Sequence, residues 1–246
     1  MKLGKKLFLV LFTLLVLISL VEYFRVNHND FKVKSIPVVV AGQHPDLPIY
    51  RSLRSRVLQR LKEFHNKYLW EIGIEDLQKM LGQDAWIERT SIQRRLPNQL
   101  QIKIFPKKAI AVYVSHKGKA FPIASDGSLL ASVQLTQAPD APMTRQKSLF
   151  KDDRLRKKLA DLVSSCIPGT SIGSDNIKNI VFKEESGFHL ELFYPEVEVV
   201  MGHEYFATKV SRVHRVLDYL EYHQLKGRVI DATFSKKVLV RLRKGS

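Results

Sequence analysis

Residues 85–104 read AWIERTSIQRRLPNQLQIKI. Glu88 to Leu96 is polar and β-branched enough for a strand, and it breaks at Pro97-Asn98-Gln99, residues that favour a turn. Leu100, Ile102 and Ile104 then alternate with polar residues at the period of a half-buried strand. Upstream, Ile49, Leu53, Val57, Leu61 and Phe64 recur every three to four residues with Arg51, Arg54, Arg56 and Lys62 between them, which predicts an amphipathic helix. A shorter helix carries Ile74, Leu77, Met80 and Leu81 and stops at Gly82. Further back, Phe31 to Val40 reads as a strand that Pro37 confines to an edge or kinks. The order is strand, helix, helix, strand, strand, an α+β unit with two helices on one face of a three-stranded sheet.

Downstream of that unit the sequence predicts a second, mostly antiparallel β domain with two helices, over residues 107–246. Ala109 to Val114 is a strand. Phe121 to Ala124 and Ser128 to Ala131 flank Asp126-Gly127, a hairpin dipeptide. Gln134 to Ser148 is polar, contains two prolines and reads as a surface loop. Asp152 and Asp153 open a helix through Leu155, Leu159, Leu162 and Val163. Strands follow at 177–183, 188–193 and 197–201, then a long helix, His203 to His223, with Phe206, Val210, Val213, Leu217 and Leu220 facing inward. Arg228 to Phe234 and Val238 to Leu242 form a last hairpin around Ser235-Lys236-Lys237.

The N-terminus sets the compartment. Lys2, Lys5 and Lys6 precede an apolar run from Leu7 to Val21, closed by Glu22, Tyr23 and Phe24. The exit has large residues where a signal-peptide cleavage site needs small ones, so an uncleaved anchor is expected over residues 7–24. The apolar run covers about 22 Å as a helix, and the flanking lysines and aromatics extend its reach toward the bilayer thickness of ~30 Å. The charge bias places residues 1–6 in the cytoplasm and residues from 25 onward outside the cytoplasmic membrane. The net charge of +16 then points away from nucleic acid and toward anionic lipid, wall polymer or acidic partner segments.

Nothing in the chain forms a familiar catalytic or metal-binding motif, and no cofactor is expected. There is no glycine-rich phosphate loop and no nucleophile elbow. His203 and His214 lie about 20° apart around one helix but three turns apart along it, so they cannot share a metal. The single cysteine, Cys166, excludes an internal disulfide and reads as a buried helix residue. The remaining opportunity is geometric. A chain that ends on a strand exposes backbone donors and acceptors unless the sheet covers them. Val238, Val240 and Leu242 share one face of that strand and Leu239 and Arg241 the other. The pattern alone allows either a covered last strand or an edge open to a partner strand.

Residues 85–104 also resemble the signature of the bacterial FtsQ/DivIB family, with Trp86, Ile92, Arg94, Arg95, Leu96, Pro97, Leu100, Ile102 and Ile104 in the matching places. Residues 31–42 resemble the opening strand of that family's POTRA domain, and residues 123–130 its hairpin. Met201-Gly202 before the long helix and Ile230-Asp231-Ala-Thr-Phe234 resemble its C-terminal end. Ala85 stands where a proline is usual, and Phe105-Pro106-Lys107-Lys108 replaces the usual acidic residue and proline.

The resemblance implies a POTRA domain at residues 25–106 and a non-catalytic scaffold at the division septum. It implies the bitopic proteins FtsB and FtsL as partners, among other divisome proteins. It implies strand addition by FtsB at a C-terminal edge comprising Phe234, Lys236, Lys237, Val238, Val240 and Leu242. Ile92, Arg94 and Arg95 form a second candidate surface, and Trp86, Pro97, Gly202 and Asp231 serve as structural motif residues. Two other readings are a different POTRA-bearing assembly factor and a membrane-anchored wall enzyme. The first normally carries a series of barrel strands not visible here, and the second needs a nucleophile or carboxylate that the sequence does not nominate.

Overall fold

The structure, a computed structural model, describes the backbone at residues 2–26, 28–42 and 48–243; described side chains further exclude residues 2–10, 24–26, 28 and 29. The chain divides into two compact units, Met1–Pro106 and Lys107–Ser246. The first opens with α1 (Lys2–Val26), whose described apolar side chains, from Leu11 to Tyr23, are all exposed. Among the described residues no helix is long and apolar enough to cross a membrane. Residues 7–10 and Phe24 of the expected anchor lie outside the described side chains.

The rest of unit 1 comprises β1 (Val38–Val40), α2 (Pro48–Leu61), α3 (Ile74–Gly82), β2 (Ile87–Arg95) and β3 (Gln99–Pro106). The sheet order is β1-β3-β2, with β1 parallel and β2 antiparallel to the central β3. Alternation decides the faces. Leu100, Ile102 and Ile104 are fully buried, as are Leu53, Val57 and Leu61 on α2 and Leu77 and Leu81 on α3. Trp86 is buried at the start of β2, and its backbone N–H donates to Asp84, which also holds Arg56 of α2 at 3.1 Å.

The strand expected over residues 31–40 is shorter than the sequence suggests. Its first part is a 3-10 turn at His28–Phe31 followed by isolated bridges from Lys32 to Tyr68 and from Ser35 to Gln99. Only the stretch beyond Pro37, which lacks a ladder donor, joins β3 as a strand.

Unit 2 holds β4 (Ala109–Val114), β5 (Lys119–Ala124), β6 (Val133–Gln134), β7 (Met143–Thr144), α4 (Lys147–Lys151), α5 (Asp153–Ser165), β8 (Ile177–Lys183), β9 (Gly187–Leu192), β10 (Glu198–Gly202), α6 (Phe206–Tyr222), β11 (Gly227–Asp231) and β12 (Leu239–Leu242). The strands form one nine-stranded sheet in the order β12-β11-β10-β9-β8-β7-β4-β5-β6. Most pairings are antiparallel; β10/β11, β7/β4 and β7/β8 are parallel. Leu159, Leu162 and Val163 of α5 and Val210, Val213 and Leu217 of α6 bury one face of the sheet. Asp152 caps α5 by accepting from the backbone N–H groups of Arg154 and Leu155.

Two expectations need correction here. Residues 134–148 are not merely a surface loop. Met143–Thr144 enters the middle of the sheet as β7, Thr144 is fully buried, and the Gln146 side-chain amide bonds both the N–H and the C=O of Phe182, extending the ladder by one side chain. Residues 128–131 do not form a strand either. Asp126 does make the turn, accepting from the Ser128 N–H, but only an isolated Ile123–Leu129 bridge follows. Leu130 N–H donates to Pro122, and Pro122 has no N–H to return on that side. Lys107 and Ser128 bind the Asp126 carboxylate and hold its pKa well below the usual carboxylate range.

Cys166 ends α5, buried, with its Sγ 3.4 Å from the Leu162 carbonyl. Burial pushes its thiol up to about 12. At pH 8 only about one thiol in ten thousand is then ionised, so Ellman's reagent is expected to leave the native chain unmodified for hours and to react within minutes in urea. Rapid labelling of the folded chain would show that the end of α5 opens.

Candidate partner-binding edge

Alternation along the last strand decides what β12 offers. Ile230 of β11 lies opposite Val240, and Asp231 opposite Leu239. Val238 and Val240 turn toward the core beneath α6, whereas Leu239 and Arg241 face the other side of the sheet. The N–H of Arg243 donates to the Lys226 carbonyl, so by the alternation of backbone groups Arg241 also points its N–H at β11. The N–H and C=O groups of Val240 and Leu242 then point away from the sheet. β12 is the terminal strand, and among the described residues no further strand pairs with it.

The connection from β11 to β12 is fixed from two sides. Asp231 Oδ1 accepts from the N–H and the hydroxyl of Thr233, which turns the chain out of β11. Arg212 of α6 donates to the carbonyls of Phe234 and Ser235 at 3.1 and 2.7 Å. Phe234 is half exposed, with Lys237 Nζ 5.2 Å above its ring.

Between α6 and β12 runs an open groove of about 490 Å³. Its floor is apolar, from Val216, Tyr219, Leu225, Val238, Val240 and Leu242, and its rim carries Arg212, Arg215, Lys236 and Lys237. None of its lining residues is acidic. The site therefore joins unpaired backbone polarity, an apolar trough and a cationic border, which suits an extended segment with apolar and acidic side chains.

The chain is similar to cell division proteins of the FtsQ and DivIB kind. Residues 54–105, within unit 1, match the family model for the FtsQ-type POTRA domain. The chain is 25% identical over 146 residues to the cell division protein DivIB of Solibacillus silvestris, covering 59% of this chain and 46% of that protein. It is 21% identical over 180 residues to the cell division protein FtsQ of Geotalea daltonii, covering 70% of this chain and 65% of that protein. The matches thus span about half to two thirds of the relatives' own length.

The other motif residues sort by surroundings. Ile92 is buried opposite Ile102, whereas Arg94 is exposed and donates to the Ile72 carbonyl at 2.6 Å. Arg95 is exposed. Pro97 sits in the β2–β3 turn after a cis peptide bond. Gly202 has φ of +74°, and a Cβ there would lie 3.0 Å from Lys209 Nζ, which donates to the Met201 carbonyl at 2.8 Å. Burial lowers the Lys209 pKa, and the Arg212 charge adds to it.

Two hydroxyl–imidazole–carboxylate groupings are invisible in the sequence because their members meet only in the fold. Ser171 and Asp218 both approach the same nitrogen of His214, which leaves no relay through the ring. Ser186, His189 and Glu198 do bond in relay order, at 2.7 Å on each imidazole nitrogen. His189 is buried there, and the chain of bonds ties the β8–β9 turn to β10; Glu198 also lies 3.7 Å from Lys183. This is the arrangement of a cross-strand brace. Among the described residues no cluster of His, Cys, Asp or Glu could hold a metal ion.

Proposed function

We propose that this chain is a non-catalytic scaffold of the bacterial division machinery, anchored in the cytoplasmic membrane, that links early and late division proteins by accepting a strand from a bitopic partner at β12. The observation that carries this reading is the outward-facing backbone of Val240 and Leu242 beside the cation-rimmed groove, in a chain whose relatives are named as cell division proteins. FtsB is the expected strand donor and FtsL its companion, both from the family resemblance. The anchor is supported by the lysine-flanked apolar run and by the exposed apolar side chains of α1 from Leu11 to Val21, which have a lipid-facing character. Residues 1–6 then lie in the cytoplasm and residues 25–246 outside it.

A fluorescent protein fused before Met1, imaged in dividing cells with the native copy depleted, tests the role. A midcell band together with filamentation on depletion is the expected result. Uniform membrane signal with normal division would remove the division reading.

A further inference from the structure

We infer that Phe31, Tyr68 and Trp70 form an aromatic foot by which unit 1 rests on the outer leaflet of the bilayer that holds the chain's own N-terminal helix. The inference deepens the anchored reading and rests on it. Its basis is a short local pairing. The Val33 N–H donates to Lys67 O, the Asn66 N–H to Val33 O and the Leu69 N–H to Phe31 O, so residues 31–34 and 66–69 run antiparallel. Val33 and Leu69 turn into the core at 0% and 1% exposure, which leaves Lys32 and Tyr68 paired on the outside. Trp70 stacks on Tyr68 at 4.9 Å with ring planes 11° apart and lies 5.8 Å from Phe31. It remains 56% exposed.

A tryptophan 56% exposed on a partly buried aromatic cluster favours an environment that is apolar on one side and wet on the other. Tryptophan and tyrosine find that environment at the level of lipid head groups. The cations nearby do not supply the attraction on their own. Lys34 is paired with Asp30 at 3.1 Å, Lys32 lies 5.2 Å over the Tyr68 ring, and Glu71 accepts from the Tyr68 N–H. Lys67 on the same segment lies 5.0 Å over the Phe64 ring, so three lysines stand against two carboxylates and the contact is expected to have only a modest salt dependence.

Chain connectivity selects the occupant. Phe31 follows the expected last anchor residue, Phe24, by seven residues, and a fully extended chain of that length reaches about 25 Å. The foot therefore stays within reach of the bilayer surface at high effective concentration, and a contact too weak to hold a free protein suffices. A soluble partner enjoys no such tether.

Trp70 is itself the probe, because the chain has two tryptophans and the other, Trp86, is 2% exposed. The full chain would be reconstituted in phosphatidylethanolamine–phosphatidylglycerol vesicles with and without a nitroxide on the head group, with Trp70→Phe as the blank. Insertion of the anchor would be read separately, by flotation after a carbonate wash. The expected result is at least a twofold loss of Trp70 emission in the nitroxide vesicles and at least a threefold drop in iodide quenching relative to the chain in detergent. Phe31→Ala with Tyr68→Ser should restore iodide access. Chain that floats with Trp70 unquenched by lipid and open to iodide would overturn the foot and leave the anchor standing. Chain released by carbonate would overturn both.

Discussion

Val240→Pro is expected to weaken binding of a strand-donating partner by about 100-fold, or ~3 kcal/mol at 1.4 kcal/mol per tenfold. The direction of the backbone groups makes this substitution selective. The N–H lost at Val240 points away from β11, so no internal ladder bond is broken, and proline is tolerated where the N–H side of a strand faces solvent. The partner would lose one donor at the centre of its ladder and meet the ring where its own backbone has to approach. Some packing against Ile230 and Val216 is also altered, at a stability cost of about 1 kcal/mol. Arg241→Pro is the control. It removes an N–H aimed at β11 and should destabilise the hairpin itself. Co-purification or titration with FtsB, the proposed strand donor, reads the first effect, and near-ultraviolet circular dichroism shows whether the fold survives. A folded Val240→Pro chain that binds its partner normally would exclude strand addition at β12.

The second large effect is expected inside unit 2. Gly187 opens β9 with φ of +79°, directly against Gly202 at the end of β10. A Cβ at Gly187 would lie 2.1 Å from the Gly202 carbonyl carbon, a contact with backbone that no rotamer can relieve. Gly187→Ala is therefore expected to cost about 3–5 kcal/mol, the sum of a forced strand separation and a left-handed alanine. With a urea slope of roughly 2 kcal/mol/M, the unfolding midpoint of the chain in detergent falls by about 2 M. Gly118→Ala separates the two causes. Gly118 also has positive φ, at +72°, but a Cβ there meets nothing within 4 Å, so only the backbone strain of about 1 kcal/mol should appear. Equal shifts for the two variants would mean that the β9–β10 approach is looser than described.

Patterns with a full period were legible in the sequence. The inward set Phe206, Val210, Val213, Leu217 and Leu220 is buried on α6 as its helical spacing requires, and Leu100, Ile102 and Ile104 are buried on β3 as theirs does. β7 was not legible for a physical reason. A two-residue strand between Pro142 and the start of α4 has no period to detect, and it owes its place to partners on both sides, Val112 and Asn179. At the candidate edge, the two faces of residues 238–242 followed from alternation alone. The α6 wall of the groove did not, because Val216 and Tyr219 read as the margin of an amphipathic helix until tertiary packing sets them beside β12. The hold of Arg212 on Phe234 and Ser235 spans twenty-two and twenty-three positions and leaves no sequence signature.

The two ends of the nine-stranded sheet are unequal. At one end β12 offers four residues; at the other β6 is only two residues long, too short to template a ladder. If strand addition occurs at β12 as proposed, unit 2 offers it one acceptor edge among the described residues. A donor strand that docks on β12 finds no comparable acceptor at the far end through which a second copy could continue the series. On that reading the sheet favours a one-to-one pairing over an open-ended series of its own copies.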